Sequence, residues 1–518
     1  MADWNPAEML GEKPNTLALS LYKDLISDET WRIQRKNYGY SDVFPNILIF
    51  SFGGVPYVDI RTDINSFLPK DINNDLKEII CNKYLSYLSK NPHLHDKIEF
   101  EVVETCFSVN SEKRLSRIFN KKIVNNYLKS LNKLTKNIFK EKYLYKDITK
   151  IQKFEKKINI KNSDKDYLQN IFFINKITKE YGTLPFAGIA RCAFIAQRIL
   201  IDLKENYLIS DEEFENFFKN IRSVTDEIKN DHRNLVSNRI SKSNFLKKYG
   251  HLRPHTYEIN SKNYREGYKS YFSSNIPNTK RKNPNKINFT KHKKINQFFT
   301  KELNISFSVF LEFAKKSIYW REKSKFLFTI GIDKIFTNLV NLSKVININR
   351  SDLTYIDIKN ILNFFSKLEN DKLSNSIKTE IIKNKREILA LKNVKLPEFI
   401  LSYKNIYSYY ESKSKINFVT RSETSGDVVI IKDNHKKISS LKNKIVMIEN
   451  ADPGYDYIFN YSIKGLITKY GGSNSHMAIR CLENNIPACI GIGVVNFENV
   501  MKSKKVIIDC NNKILRAL

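Results

Sequence analysis

From residue 120 to 411 apolar side chains recur every three or four positions in lysine-rich surroundings, as in FFTKELNISFSVFLEFAKKSIYWREKSKFLF and SDLTYIDIKNILNFFSKL, and glycine is scarce. That spacing predicts amphipathic helices. Beyond residue 412 the texture changes. Short β-branched runs at 427–432, 444–450, 465–470 and 504–510 alternate with turn residues and one clear helix, the pattern of a compact α/β unit. Asp452, Pro453 and Gly454 predict a turn before a short helix. In residues 47–61 two apolar runs meet at Gly53 and Gly54, which predicts a hairpin. The expected fold is multidomain α+β: a mixed α/β N-terminal segment over 1–119, a mainly helical domain over 120–411, and a C-terminal α/β domain over 412–518. The stretch KRKNPNKINFTKHKKINQ, 280–297, has the polarity of an exposed basic loop, with a phosphate-contacting lid as the other use of such residues.

Composition narrows the function classes. A chain of 518 residues exceeds one ordinary core. Its formal charge of +32 would suit a polyanion, but lysine, asparagine and isoleucine are spread evenly and no arginine-rich arm stands out, so no specific nucleic-acid partner is expected. A diffuse basic surface can still attract nucleotides or an acidic partner. The six cysteines show no CxxC spacing, which argues against a zinc or disulfide framework and suits a reducing compartment. The N-terminus lacks a signal layout, and no run of 18 apolar residues occurs. A soluble cytoplasmic protein away from membranes is expected.

The most informative stretch is GGSNSHMAIRCLENNIPACIG, 471–491. Gly471 and Gly472 allow a close turn, Ser473, Asn474 and Ser475 offer cap groups, and His476 opens the run Met477, Ile479, Leu482. A helix N-terminus favours a bound anion, and neutral imidazole is a competent nucleophile. His476 therefore suits a phosphoryl carrier mounted at the surface, although a histidine at a helix start also serves as a simple cap.

The segment GLITKYGGSNSHMAIRCLENNIPACIGIG, 465–493, resembles the phosphohistidine signature of the swivelling domain in phosphoenolpyruvate-utilising enzymes, a family that includes phosphoenolpyruvate synthase, pyruvate phosphate dikinase, rifampin phosphotransferase and L-glutamine kinase. Thr468, Gly471, Gly472, Ser475, His476, Ala478, Arg480, Pro487 and Gly491 fall on the pattern; Met477 departs from it. The run YGHLRPHTYEINSKNY, 249–264, is similar to a segment of rifampin phosphotransferase and glutamine kinase relatives, with His255 where those relatives often have glycine. The segments DWNPAEMLG (3–11), GGVPYVDIRTDINSFLP (53–69), GTLPFAGIARCAFIAQ (182–197) and REKSKFLFT (321–329) resemble the same group.

The resemblance implies that His476 is the catalytic nucleophile, with Thr468, Gly471, Gly472, Ser475 and Arg480 shaping its loop. It makes His251, Arg253, Asp59, Arg61, Asn65, Arg191, Arg321 and Lys325 candidates for an acceptor pocket in the helical domain; for each singly, a salt bridge or cap is an equal use. It implies transfer of a phosphoryl group from ATP to His476 and on to a small polar acceptor, first L-glutamine in a phosphoramidate or capsule pathway. A phosphoenolpyruvate synthase-like reaction on pyruvate or an antibiotic phosphotransferase activity is the alternative. No glycine-rich phosphate loop occurs, so the expected holder of ATP and Mg²⁺ is an ATP-grasp protein acting in trans, and no metal-ligand cluster is expected in the chain. A different class, a non-catalytic remnant or polyanion-binding scaffold, also stays open.

Overall fold

The computed structural model describes residues 1–2, 10–159, 166–221, 224–272, 289–364, 370–407, 416–431, 441–472 and 475–518. Ser473, Asn474, most of DWNPAEMLG and residues 280–288 of the basic stretch lie outside these ranges. Within that stretch, the described part is not all loop: His292–Phe298 is helical and buries Ile295.

The helical part is organised around one element, the 39-residue helix Phe307–Val345. It packs against Leu184–Glu205 and Tyr167–Ile177; its phenylalanines at 307, 310, 313, 326, 328 and 336 are all buried, with Phe328 against Phe186 of Leu184–Glu205. Ser306 caps it by accepting from the Val309 N–H at 3.2 Å. The helical stretch Tyr167–Glu205 is long and apolar enough to cross a membrane, but 61% of its apolar window is buried inside the protein, as expected of a core helix. The helix Lys121–Lys140 buries Val124, Tyr127 and Leu131 in a core shared with Ile64, Phe67 and Tyr84.

In the N-terminal part, β1 (Ile49–Phe52) and β2 (Val55–Val58) form the expected hairpin, with Ile49 opposite Val58 and Phe52 opposite Val55. Gly53 and Gly54 carry φ of 57° and 81°, the left-handed pair that a two-residue turn requires.

The C-terminal part is a seven-stranded mixed sheet in the order β3-β7-β6-β5-β4-β8-β9. Its strands are β3 (Asn417–Val419), β4 (Glu423–Ile430), β5 (Ile445–Asn450), β6 (Gly465–Tyr470), β7 (Ala488–Ile490), β8 (Lys505–Asp509) and β9 (Ile514–Ala517). β4, β5, β6 and β7 run parallel; β3, β8 and β9 pair antiparallel. The central strands read as continuous apolar runs because both faces are covered. On β5, Ile445 and Met447 pack with Phe497, Val500 and Ile508, whereas Val446 and Ile448 belong to the core that continues into the helical part. One face of the sheet is therefore seated on the helices.

Candidate active site

β6 ends at Tyr470 and the chain turns through Gly471, whose φ is 135°. A methyl group there would lie 2.9 Å from the Ala451 Cβ, so both conformation and space select glycine. Gly491 lies beneath it at φ 67°, where a Cβ would meet the Gly471 carbonyl oxygen at 2.1 Å. Thr468 joins the two segments by accepting from the Gly491 N–H at 3.0 Å. Gly472 faces open space. Ser475 then caps the helix His476–Asn484, its hydroxyl accepting from the Ala478 N–H at 3.2 Å. The sequence thus places an imidazole at the first turn of a helix, where backbone N–H groups have no intrahelical acceptors.

The expectation of a surface-mounted histidine is corrected by its surroundings: His476 is only 4% exposed. Its Nδ1 is hydrogen-bonded to Glu322 of the long helix, and its Nε2 lies 2.6 Å from the Asp456 Oδ1. Asp456 belongs to the 3₁₀ helix Pro453–Tyr461, between β5 and β6 of the same sheet as the histidine. Arg480, one turn along and fully buried, donates to Glu483 at 2.7 Å and to Glu322 at 3.4 Å. Burial alone would push the His476 pKa down; Asp456 and Glu322 outweigh it and hold the ring above its ordinary value. Burial would likewise raise both carboxyls, but His476 and Arg480 bring Glu322 well below the usual range and lower Asp456. The ring thus has a carboxylate at each nitrogen, and the Arg480 Nε lies 3.4 Å from its Nε2.

His476 lines one end of a narrow, partly open pocket. His251, Arg253, Lys325, Phe326 and Asp333 line it from the helical side. Arg253 pairs with Asp333 and donates to the Ser261 carbonyl at 3.3 Å, while the His251 Nε2 is 3.0 Å from the Phe326 carbonyl. Burial drives the His251 pKa down to about 4, so the ring is neutral. Lys325, three residues beyond Glu322 and thus on the same helix face, has no ion pair or hydrogen bond among the described residues. Its cation is available to a ligand.

The two parts meet through further specific contacts. Thr225 donates to the second oxygen of Asp456 at 2.8 Å, Thr256 meets Asp452 through its N–H and its hydroxyl at 3.2 Å, and the Tyr264 hydroxyl donates to the Gly454 carbonyl at 3.0 Å. His255 adopts φ 52°, the left-handed path that glycine takes at low cost, and its Nε2 is 2.8 Å from the Tyr455 hydroxyl. The histidine follows the glycine-like route and adds a contact across the interface.

The remaining candidates lie elsewhere. Asp59 caps the helix Ile60–Phe67, accepting from the Arg61 and Thr62 N–H groups. Arg61 donates to Asn82, and Asn65 donates to the Arg61 carbonyl. Arg191 is buried against Glu99. None of these four lines the pocket. Arg321 stacks on the Phe194 ring at 4.7 Å, with its Nε 3.8 Å from Glu322. Glu322 and Asp456, the two residues that touch His476 most closely, were not singled out from sequence; Glu322 lies inside REKSKFLFT, and Asp456 lies in the short helix predicted after the turn at Asp452, Pro453 and Gly454. Among the described residues no three His, Cys, Asp or Glu side chains group to hold a metal.

The chain matches none of the curated proteins with which it was compared. A match does come from a family model: residues 441–513, which include β5, the glycine turn, His476 and β8, match the PEP-utilising enzyme, mobile domain, and this supports placing the C-terminal part among the phosphohistidine-carrying units of the PEP-utilising enzymes.

Proposed function

We propose that this protein is a phosphotransferase in which His476 accepts a phosphoryl group from ATP and passes it to a small polar acceptor bound in the pocket beside Lys325, with the amide of L-glutamine as first candidate. The observation that carries the reading is the seating of His476, with Gly454, Asp456 and Arg480, in the wall of a pocket lined otherwise by the helical part. One fixed ring cannot reach two substrates, so a carrier of this kind alternates between sites, and the present arrangement is the acceptor-side one. ATP with its Mg²⁺ is proposed to bind an ATP-grasp protein in trans. A cytoplasmic setting and a role in capsule phosphoramidate synthesis complete the proposal.

The test incubates the protein with labelled ATP and a candidate ATP-grasp partner and follows acid-labile, base-stable label on His476, then chases it with L-glutamine. Label that passes to glutamine supports the proposal. Transfer to pyruvate favours the synthase-like alternative, and transfer to an antibiotic favours the third. Absence of label on His476, together with polyanion binding that falls steeply with salt, would favour the scaffold class instead.

A further inference from the structure

Of the two carboxylates that hold His476, one travels with it and one does not. Asp456 is anchored between β5 and β6 of the sheet that carries the histidine. Glu322 sits in the middle of the long helix of the other part, and is itself only 6% exposed. When the sheet unit leaves the helices, the ring keeps Asp456 and loses Glu322.

We propose that Glu322 is a positioning residue that makes discharge of phosphorylated His476 conditional on docking. This inference rests on the reading of His476 as a phosphoryl carrier. Glu322 faces Nδ1; we place the phosphoryl group on Nε2, with Asp456 displaced from the 2.6 Å contact it makes there in the uncharged protein. In the docked carrier Glu322 accepts a hydrogen bond from a protonated Nδ1, so the leaving group is a neutral imidazole. The Nε2–P bond breaks with its electron pair returning to Nε2, a new bond forms between phosphorus and the acceptor heteroatom, and the acceptor's proton passes by way of Asp456 to Nε2. The end state is an imidazolium with a carboxylate at each nitrogen, and the two contacts it requires are the ones seen. Away from the helices Nδ1 has no Glu322 to keep it protonated, its phosphoimidazole is a poorer leaving group, and the phosphoryl group survives transit through water.

The charges around the ring are compatible with this division of labour. Glu322 faces it from the long helix, with Arg321 beside Glu322 and Lys325 one turn along; Asp456 and Arg480 face it from the sheet unit, with Glu483 paired to Arg480. Lys229, on the helix Val224–Val236, donates to Asn484 at the far end of the histidine's helix at 2.6 Å. Glu322 alone supplies a negative charge to Nδ1 from across the interface among the described residues.

The experiment charges the full chain chemically with phosphoramidate, which needs no ATP-binding partner, and follows loss of phosphohistidine with L-glutamine, with pyruvate, and with water alone. Wild type, E322Q, E322D and the double variant E322Q/G454A are compared from about pH 5.5 to 8.5, a span chosen to bracket an ordinary imidazole. E322Q should charge normally, discharge at least about tenfold more slowly, and show its pH break about one unit lower, as expected when a neighbouring charge is removed. E322D should recover part of the rate. With docking obstructed by Gly454→Ala, E322Q should add nothing further. Normal discharge by E322Q with an unmoved pH break would overturn the inference while leaving the carrier reading intact. No phosphohistidine at residue 476 in the wild type would overturn both. Nitrogen-15 NMR of the uncharged imidazole supplies a readout independent of turnover: the His476 titration must move down in E322Q, and an unmoved titration counts against the assignment.

Discussion

The backbone of Gly454 passes so close to that of Arg253 that a methyl group on the glycine would sit 1.8 Å from the Arg253 carbonyl oxygen and 2.5 Å from the Pro254 Cα. Both neighbours are backbone, so neither can rotate aside. Gly454→Ala should therefore push the two parts away from each other while each keeps its own fold. The expected result is a phosphohistidine that forms normally with phosphoramidate and discharges slowly. Discharge at the wild-type rate would show that the contact gives way easily.

Replacing His476 by alanine should abolish phosphohistidine formation. It should also loosen docking, because Glu322 and Asp456 would lose their close shared partner and keep only Arg480, at 3.4 and 3.8 Å. Two outcomes are expected together: no label, and a more open molecule by small-angle scattering. His476→Gln, which can still hydrogen-bond, should open the molecule less.

Docking should be strongest in mildly acid solution. His476 has a raised pKa when docked, so its contribution is complete below its ordinary 6.5 and disappears as pH rises through the docked value. Glu322 and Asp456 are lowered, so theirs is complete above their ordinary 4.5 and 3.8 and disappears only on further acidification. Glu483, raised by burial against Arg480, works in the same sense as the histidine. Lys229, lowered by burial to about 8, stays charged below that value. Energy transfer between dyes on the two parts should thus fall as pH rises above His476's ordinary 6.5. All six native cysteines are buried, so introduced surface cysteines can take the dyes. A flat profile would contradict the doubly held imidazolium.

Lys325→Ala should separate function from stability. The side chain has no partner among the described residues, so the melting temperature should barely change, while the discharge step should weaken through lost charge neutralisation. A large drop in melting temperature would mean that the side chain serves the fold.

Acid should destabilise the helical part through two neutral histidines. Burial lowers His251 and His232 to about 4 each, and neither ring nitrogen of His232 has a hydrogen-bond partner among the described residues. A histidine with a depressed pKa contributes stability above its ordinary 6.5 that is lost as pH falls towards the folded value, here about 3 kcal/mol each. His232 packs against Phe245 and Phe272, so His232→Phe should flatten the acid side of the melting profile. An unchanged acid limb would refute the assignment.

Much of the C-terminal architecture was legible because its determinants are local. β6 spans 465–470 as the β-branched run indicated, Gly471 needs its φ, and Ser475 caps the helix that His476 opens. The surroundings of the ring were not legible. Glu322 is 154 residues from His476 in sequence, and a charged residue on a lysine-rich helix looks solvated until a second unit covers it. Arg191 shows the opposite case: an arginine in a segment of apparent functional character is neutralised by Glu99 through tertiary packing. In the helical part, the helical spacing of apolar residues identified helices but gave no information about which one would be central.

The sheet unit's share of the docking contacts is nearly contiguous. Asp452, Gly454, Tyr455, Asp456, His476, Arg480 and Asn484 fall within 33 consecutive positions, with β6 buried between the two contacting segments. The helical part draws its half from helices far apart in the chain. Recognition is therefore portable in one direction: a graft of residues 452–484 onto another sheet of this topology would carry the address with it, whereas no short segment of the helical part could reproduce the receiving surface. The helices can change elsewhere while the sheet unit's contacting segment stays fixed.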